Sequence, residues 1–172
     1  MRFLIGFIIG LVIVPIAVFC YLRFGHPPVA VADRPFPLEG QMVHVPLHNR
    51  IAADMPRSVP IQPTEDNLLA GAQTYSTNCS SCHGTYSQTS TFAQHMYPSA
   101  PQLLQTHGSH GVVGVSDDPP GETYWKVANG IRLSAMPAFA EMLTPTEMWQ
   151  VSLLLANADK PMSPPVRAAL SK

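Results

Sequence analysis

The sequence predicts a small all-α domain that follows a single N-terminal transmembrane helix and a proline-rich linker. Three observations lead to this prediction. Phe3 to Leu22 is a long run of residues without any charge, and three later segments combine helix caps with helical apolar spacing. No stretch alternates long enough between apolar and polar residues to predict a sheet. The predicted divisions are an anchor at 1–25, a linker at 26–63, a helical domain at 64–160 and a tail at 161–172.

The first element is the apolar run between Arg2 and Arg23. A helix of this length spans about 30 Å, the thickness of a bilayer core. The alternative is a cleaved signal peptide, because Ala30-Val31-Ala32 forms an A-x-A site. A signal peptide has an apolar region of only about 7–15 residues, so the longer run favours a retained anchor.

The second element, from His26 to Pro63, is interrupted by prolines throughout. Proline lacks an N–H and fixes its φ, so we expect neither a helix nor a central strand here. The segment is predicted to be an extended, semi-rigid linker that reaches up to about 110 Å. Met42 to Leu47 is the part that we expect to pack on the domain or on a partner, if any does.

Three helices are predicted in the domain. The first begins at Thr64, a good N-cap, and ends close to Cys79. The second lies within 116–130, where Asp117 and Asp118 serve as caps, Pro119 occupies the first turn and Gly130 ends the helix. The third begins at Thr144-Pro145-Thr146-Glu147, a capping box with proline at the first helical position, and continues to Asn157.

Cys79-Ser80-Ser81-Cys82-His83 is the most informative motif. In a C-x-x-C-H segment the two thiols bond covalently to haem vinyl groups, and the histidine is the proximal iron ligand. A redox dithiol predicts a βαβ pattern that is absent, and a structural zinc site needs more ligands than the motif supplies. A disulfide between Cys79 and Cys82 leaves His83 unexplained. The sequence therefore predicts one covalent haem c with its iron, around which the helical domain packs.

The sixth iron ligand is predicted to be Met136. A thioether stabilises ferrous iron, which suits an electron carrier. Met136 lies in a loop between two predicted helices, and Pro137 stiffens the backbone beside it. The alternatives are Met96, Met142 or a histidine from the polar segment 85–116, which gives bis-His iron of lower potential. We expect the three histidines of that segment to be exposed to solvent instead; they are His95, His107 and His110.

These motifs resemble the class I monohaem cytochromes c between Glu65 and Ala158. The resemblance is carried by Gly71-Ala72-x-x-Tyr75 ahead of the C-x-x-C-H-Gly segment, by Asn129-Gly130 before Met136-Pro137, and by Leu143-Thr144 leading into Met148-Trp149. The four-helix-bundle cytochromes are disfavoured, since their haem motif falls in the last helix and here it lies in mid-chain.

The resemblance implies further features. The first and last helices of the domain cross near the haem, with Gly71 and Tyr75 facing Trp149 and Leu153. A proline carbonyl accepts a hydrogen bond from the proximal histidine and orients its ring. Pro101 matches that proline, and Pro98 is a weaker candidate.

The predicted function is single-electron transfer without substrate chemistry. The net charge of −1 gives no sign of nucleic-acid binding, and no catalytic set or phosphate loop is present to act on a small-molecule substrate. Haem is attached outside the cytoplasmic membrane, so we expect an inner-membrane protein with its N-terminus inside and its haem domain in the periplasm. The expected partners are redox proteins of respiratory or dehydrogenase complexes in the membrane. The alternatives are a haem-based ligand binder or sensor, and a cytochrome subunit of a larger membrane oxidoreductase.

Overall fold

A computed structural model of the chain describes residues 2–108 and 111–171. The backbone divides into two compact units, Met1–Gly40 and Gln41–Lys172. Nearly all secondary structure in the described residues is helical, which confirms the all-α prediction.

The first unit is built on one apolar helix. This helix, α1, runs from Arg2 to Phe24 and is about 35 Å long at 1.5 Å per residue. Its stretch Gly6–Phe24 has a mean hydropathy of 2.4, and none of that stretch is buried in the protein. The helix is therefore long and apolar enough to cross a membrane. Beyond it, the Asp33 carboxylate accepts hydrogen bonds from two backbone N–H groups and closes a turn.

The prediction of an extended linker is wrong for residues 39–54, which form helix α2 (Glu39–Asp54) with Pro46 inside it. An internal proline removes one backbone hydrogen bond and costs a helix about 3 kcal/mol. Tertiary packing offsets that cost, because Ile51 is only 2 % exposed and Pro56, just beyond the helix, lies against Gly121. Val43, Leu47 and Ile51, spaced four residues apart, are the least exposed side chains between residues 41 and 54.

The three helices predicted in the domain are all present. Helix α3 (Glu65–Asn78) starts after Thr64, whose hydroxyl accepts the Asn67 N–H, and it is followed by the single turn α4 (Ser80–His83). Helix α5 (Pro120–Asn129) lies within the expected range, but Asp118 forms an ion pair with Lys126 and does not cap the helix. Helix α6 (Pro145–Leu155) has the complete capping box. The connection between α4 and α5 contains a 3-10 turn (Phe92–His95) and a short antiparallel hairpin of β1 (Thr106–His107) and β2 (Val112–Val113).

The predicted C-terminal tail is also wrong as a description of residues 164–170, which form helix α7 (Pro164–Leu170). Its two prolines occupy the first turn, where a missing N–H is tolerated. Val166 and Leu170 are each 1 % exposed and belong to the main core, and α7 packs on α3. The Tyr86 N–H donates to the Leu170 carbonyl at 2.9 Å, which ties α7 to the chain just after α4.

The core of the second unit forms where α3 crosses α6. Gly71 lies against the backbone of Gln150 and Val151, so the first and last predicted helices of the domain do cross. Trp149 stacks on Tyr124 of α5, with ring centroids 4.2 Å apart. The crossing is close because the glycine has no side chain, and it places the C-terminal end of α3 beside the core.

Candidate functional site

The C-x-x-C-H motif forms the junction between α3 and α4. Cys79 ends α3, and its carbonyl accepts the N–H groups of Cys82 at 3.1 Å and His83 at 2.9 Å. This single turn brings the three side chains of the motif onto one short segment of backbone. Cys79 and Cys82 are not joined by a disulfide, which was one alternative for the motif.

The Cys79 thiol of the motif is not set up as a metal or redox thiolate. Burial, and secondarily the nearby Cys82, raise the pKa of the Cys79 thiol to about 12. The protein thus favours a neutral sulfur at Cys79, which fits a thioether bond better than zinc ligation or disulfide exchange. Among residues 2–108 and 111–171, no three His, Cys, Asp or Glu side chains are grouped to hold a metal ion.

His83 is oriented by the carbonyl of Pro101, and its Nδ1 lies 2.8 Å from that oxygen. A carbonyl oxygen only accepts, so Nδ1 carries the proton and Nε2 keeps its lone pair. Burial lowers the pKa of His83, and the hydrogen bond to the Pro101 carbonyl opposes this effect only in part. The net lowering keeps the imidazole neutral. A neutral imidazole with a free Nε2 is the form that binds iron, so the donor set fits a haem.

The backbone after His83 is fixed by Tyr75. This tyrosine of α3 is fully buried, and its hydroxyl lies 2.8 Å from the Gly84 carbonyl and 3.2 Å from that of His83. Burial raises the pKa of Tyr75 above its ordinary value, so the hydroxyl stays protonated as the donor. Gly84 has a φ of +79°, a conformation that other residues rarely adopt, and it turns the chain sharply out of α4.

Met136 lies in a tightly held loop after α5. Gly130 has a φ of +66°, and a Cβ there would lie 2.8 Å from the Met136 carbonyl oxygen. The Ile131 N–H donates to that same oxygen at 3.2 Å, and the Met136 N–H donates to the Ser134 hydroxyl at 3.2 Å. Met136 is half-buried and packs on the same core as Cys79.

Met96, an alternative ligand, is half-buried directly after the 3-10 turn, and the other methionines of the domain lie in different surroundings. Met148 is 3 % exposed inside the core, as expected of the apolar face of α6, whereas Met142 is 64 % exposed. His95 and His107 are exposed, in agreement with the expectation for the loop histidines. His107 Nε2 is also engaged with the Gly114 carbonyl at 2.5 Å. His110 lies outside the described residues.

Two residues that sequence reasoning missed lie beside the motif, Ser90 and Gln102. The Ser90 hydroxyl donates to the Ser81 carbonyl at 2.5 Å, and the Ser90 N–H donates to Gln102 Oε1 at 2.7 Å. Neither residue belongs to a periodic pattern. The one signal that points to Gln102 is its position directly after Pro101.

The structure combines a helical domain and a C-x-x-C-H turn with a neutral, oriented histidine and a methionine loop. These features together define a c-type cytochrome with one covalent haem c. In agreement, residues 66–153 match the family model described as cytochrome c oxidase, cbb3-type, subunit III. The match covers about half of the chain, and the protein belongs to this family of class I c-type cytochrome domains. No curated protein and no solved structure matches the chain.

Proposed function

We propose that the protein is a membrane-tethered monohaem cytochrome that carries single electrons between membrane redox complexes on the periplasmic side. The observation that carries this proposal is the hydrogen bond between His83 and the Pro101 carbonyl. It holds the imidazole in the tautomer and orientation that an iron ligand needs, in a motif that provides two thiols for covalent attachment.

In this proposal Cys79 and Cys82 form the thioether bonds, His83 is the proximal iron ligand and Met136 is the distal one. The bound haem supplies one-electron Fe(III)/Fe(II) chemistry. The protein holds the His83 and Met136 side chains on segments whose backbones are fixed by hydrogen bonds. The thioether of Met136 favours the ferrous state, which suits a carrier better than a sensor with an open sixth position.

We assign α1 as the anchor, with the N-terminus in the cytoplasm and the second unit in the periplasm. The length and hydropathy of α1 support the anchor. The direction follows from haem attachment, which takes place outside the cytoplasmic membrane.

A second candidate is a fixed subunit of a larger membrane oxidoreductase, and the family supports it because its description names an oxidase subunit. Helix α2 points the same way. A fully extended segment 26–63 would give the domain a long, flexible tether. Helix α2 instead rises only 1.5 Å per residue, compared with about 3.1 Å for an extended chain, and it packs through Ile51. A shorter and partly packed tether suits a domain that serves one neighbouring partner.

Two experiments test the proposal. Purification in mild detergent, with co-purifying proteins identified, separates a subunit from a free shuttle. Optical spectra of the ferric full-length protein test the ligands. We expect an iron–thioether charge-transfer band that disappears in Met136→Ala and persists in Met142→Ala, a matched change at an exposed methionine. A high-spin ferric haem that readily binds CO once reduced would favour the sensor instead.

A further inference from the structure

We propose that Ser90 and Gln102 are positioning residues that hold the His83–Pro101 hydrogen bond at its length and thereby lower the reduction potential of the haem. The inference rests on the proposed role of His83 as the proximal ligand. Neither side chain hydrogen-bonds to His83 itself. Each instead holds the backbone near one partner of the His83–Pro101 hydrogen bond.

The contacts form a closed circuit, which we call the proximal ring. Its residues are Ser81, His83, Pro101, Gln102 and Ser90. His83 Nδ1 donates to the Pro101 carbonyl, and Pro101 is bonded in the chain to Gln102. Gln102 Oε1 accepts the Ser90 N–H, and the Ser90 hydroxyl returns to the Ser81 carbonyl, two residues before His83. Both ends of the His83–Pro101 bond are therefore anchored to the same serine.

Within the proximal ring, Ser90 is shielded from water. Ser90 is 8 % exposed, and its hydroxyl also accepts the Ala93 N–H at 3.4 Å. The Gln102 side chain is satisfied at both ends, because its Nε2 donates to the Ala100 carbonyl at 3.3 Å. A buried polar group that loses its partner is costly, so the buried Ser90 keeps a single arrangement.

Gly84 makes room for the Gln102 amide. A Cβ at Gly84 would lie 2.5 Å from Gln102 Oε1 and 2.9 Å from the Gln88 carbonyl oxygen. Any larger residue at that position would push the amide away from Ser90. The glycine after the motif thus serves the proximal ring as well as the turn out of α4.

The ring affects the iron through the basicity of the imidazole. A strong hydrogen bond from Nδ1 increases electron donation from Nε2, and this donation stabilises ferric iron more than ferrous iron. When the Pro101 carbonyl is less firmly held, the bond weakens on average and the potential rises. The Leu103 N–H still donates to the His83 carbonyl at 3.2 Å, so loss of one ring contact loosens the bond without abolishing it.

The test uses the full-length, haem-loaded chain in detergent with Gln102→Leu and Ser90→Ala. Gln105→Leu is the matched control, because Gln105 lies in the same segment and donates to the Thr85 carbonyl at 3.2 Å, outside the ring. Two quantities are measured: the midpoint potential, and the solvent exchange rate of the His83 Nδ1–H proton in the ferrous state by nuclear magnetic resonance. A loss of packing alone would lower the melting temperature without moving either quantity.

We expect both ring variants to have a higher potential and faster Nδ1–H exchange than the wild type, with Gln105→Leu unchanged. The expected shift in the ratio of reduced to oxidised haem is up to about tenfold, equal to about 59 mV for a one-electron couple. If neither ring variant differs from Gln105→Leu, the inference is wrong while the proposed function stands. If the His83 resonance lacks the ring-current displacement of a haem ligand, the ligand assignment itself fails. If Gln102→Leu does not take up haem, the comparison of Ser90→Ala with Gln105→Leu tests the inference by itself.

Discussion

Gly71 of α3 lies directly against the carbonyl group of Gln150 in α6, with no space between them for a Cβ atom. This contact sets the distance at which the two helices cross, and the crossing carries the core on which the haem motif rests. Ala72 and Val151, the next residues on each helix, are both 0 % exposed. The close approach is therefore part of a packed interface that has no slack to absorb a larger residue.

The first prediction follows from this contact. Gly71→Ala inserts a methyl group into the crossing and forces α3 and α6 apart, so we expect a loss of about 1–3 kcal/mol in the free energy of unfolding. Urea unfolding of the haem-loaded protein measures it. Gln73→Ala, at an exposed position of the same helix, should have little effect. Equal stability of the two variants would show that the crossing is not tight.

The second prediction concerns the contact between Pro56 and Gly121. A Cβ at Gly121 would overlap the Pro56 carbonyl oxygen, so Gly121→Ala should displace the segment that follows α2. Arg57 lies in this segment and donates to the Ala52 carbonyl at 2.6 Å. We expect trypsin to cleave after Arg57 several times faster in this variant than in Asn129→Ala, a change at the exposed end of the same helix. An unchanged cleavage rate would mean that the segment is not held by Gly121.

The helices with local signals could be predicted from the sequence, and those that depend on distant contacts could not. Thr64 and Thr144 accept N–H groups three residues away, so their caps are visible in the sequence. Helices α2 and α7 contain prolines and few caps, and their burial depends on residues far along the chain. Asp118 was predicted to be a cap, but it pairs with Lys126. Nothing in the local sequence indicates that pair, since the two residues are eight positions apart.

The candidate site also has a part that the local sequence predicts and a part that depends on contacts between distant residues. The C-x-x-C-H turn is local, and its chemistry could be predicted from five consecutive residues. The position of Pro101 was implied only by the resemblance, since it meets His83 across eighteen residues. Ser90 and Gln102 are joined across twelve residues of irregular chain, and no propensity or periodicity signals such a pair.

The third prediction concerns the C-terminal helix. Leu170 is buried in the core beside α3, so Leu170→Ala should lower the free energy of unfolding by about 2–5 kcal/mol through lost burial and a residual cavity. Arg167→Ala, on the exposed side of α7, is the control and should lie within about 0.5 kcal/mol of the wild type. Chemical denaturation measures both. A neutral Leu170→Ala would show that α7 does not contribute to the fold.

The fourth prediction concerns acid. Hydrogen bonds from the Thr144 hydroxyl, and secondarily from its backbone N–H, lower the pKa of Glu147 in the folded protein. A lowered folded pKa adds stability that is present above the ordinary pKa of about 4.3 and lost as the pH falls through the folded value. Glu147→Gln should therefore be less stable than the wild type at pH 6, and the difference should shrink towards pH 3. A difference independent of pH would contradict the role of the charge.

The fifth prediction concerns removal of the cofactor. Cys79 packs on the main core, and in the proposed function both motif cysteines bond to the haem, so Cys79→Ser/Cys82→Ser should remove covalent haem and unfold much of the second unit. The haem content from the pyridine haemochrome spectrum, together with helix content from circular dichroism, measures both losses. Cys20→Ser is the matched control, because Cys20 is an exposed thiol of α1, and it should keep haem and fold. A fully folded double variant without haem would contradict the view that the cofactor forms part of the core.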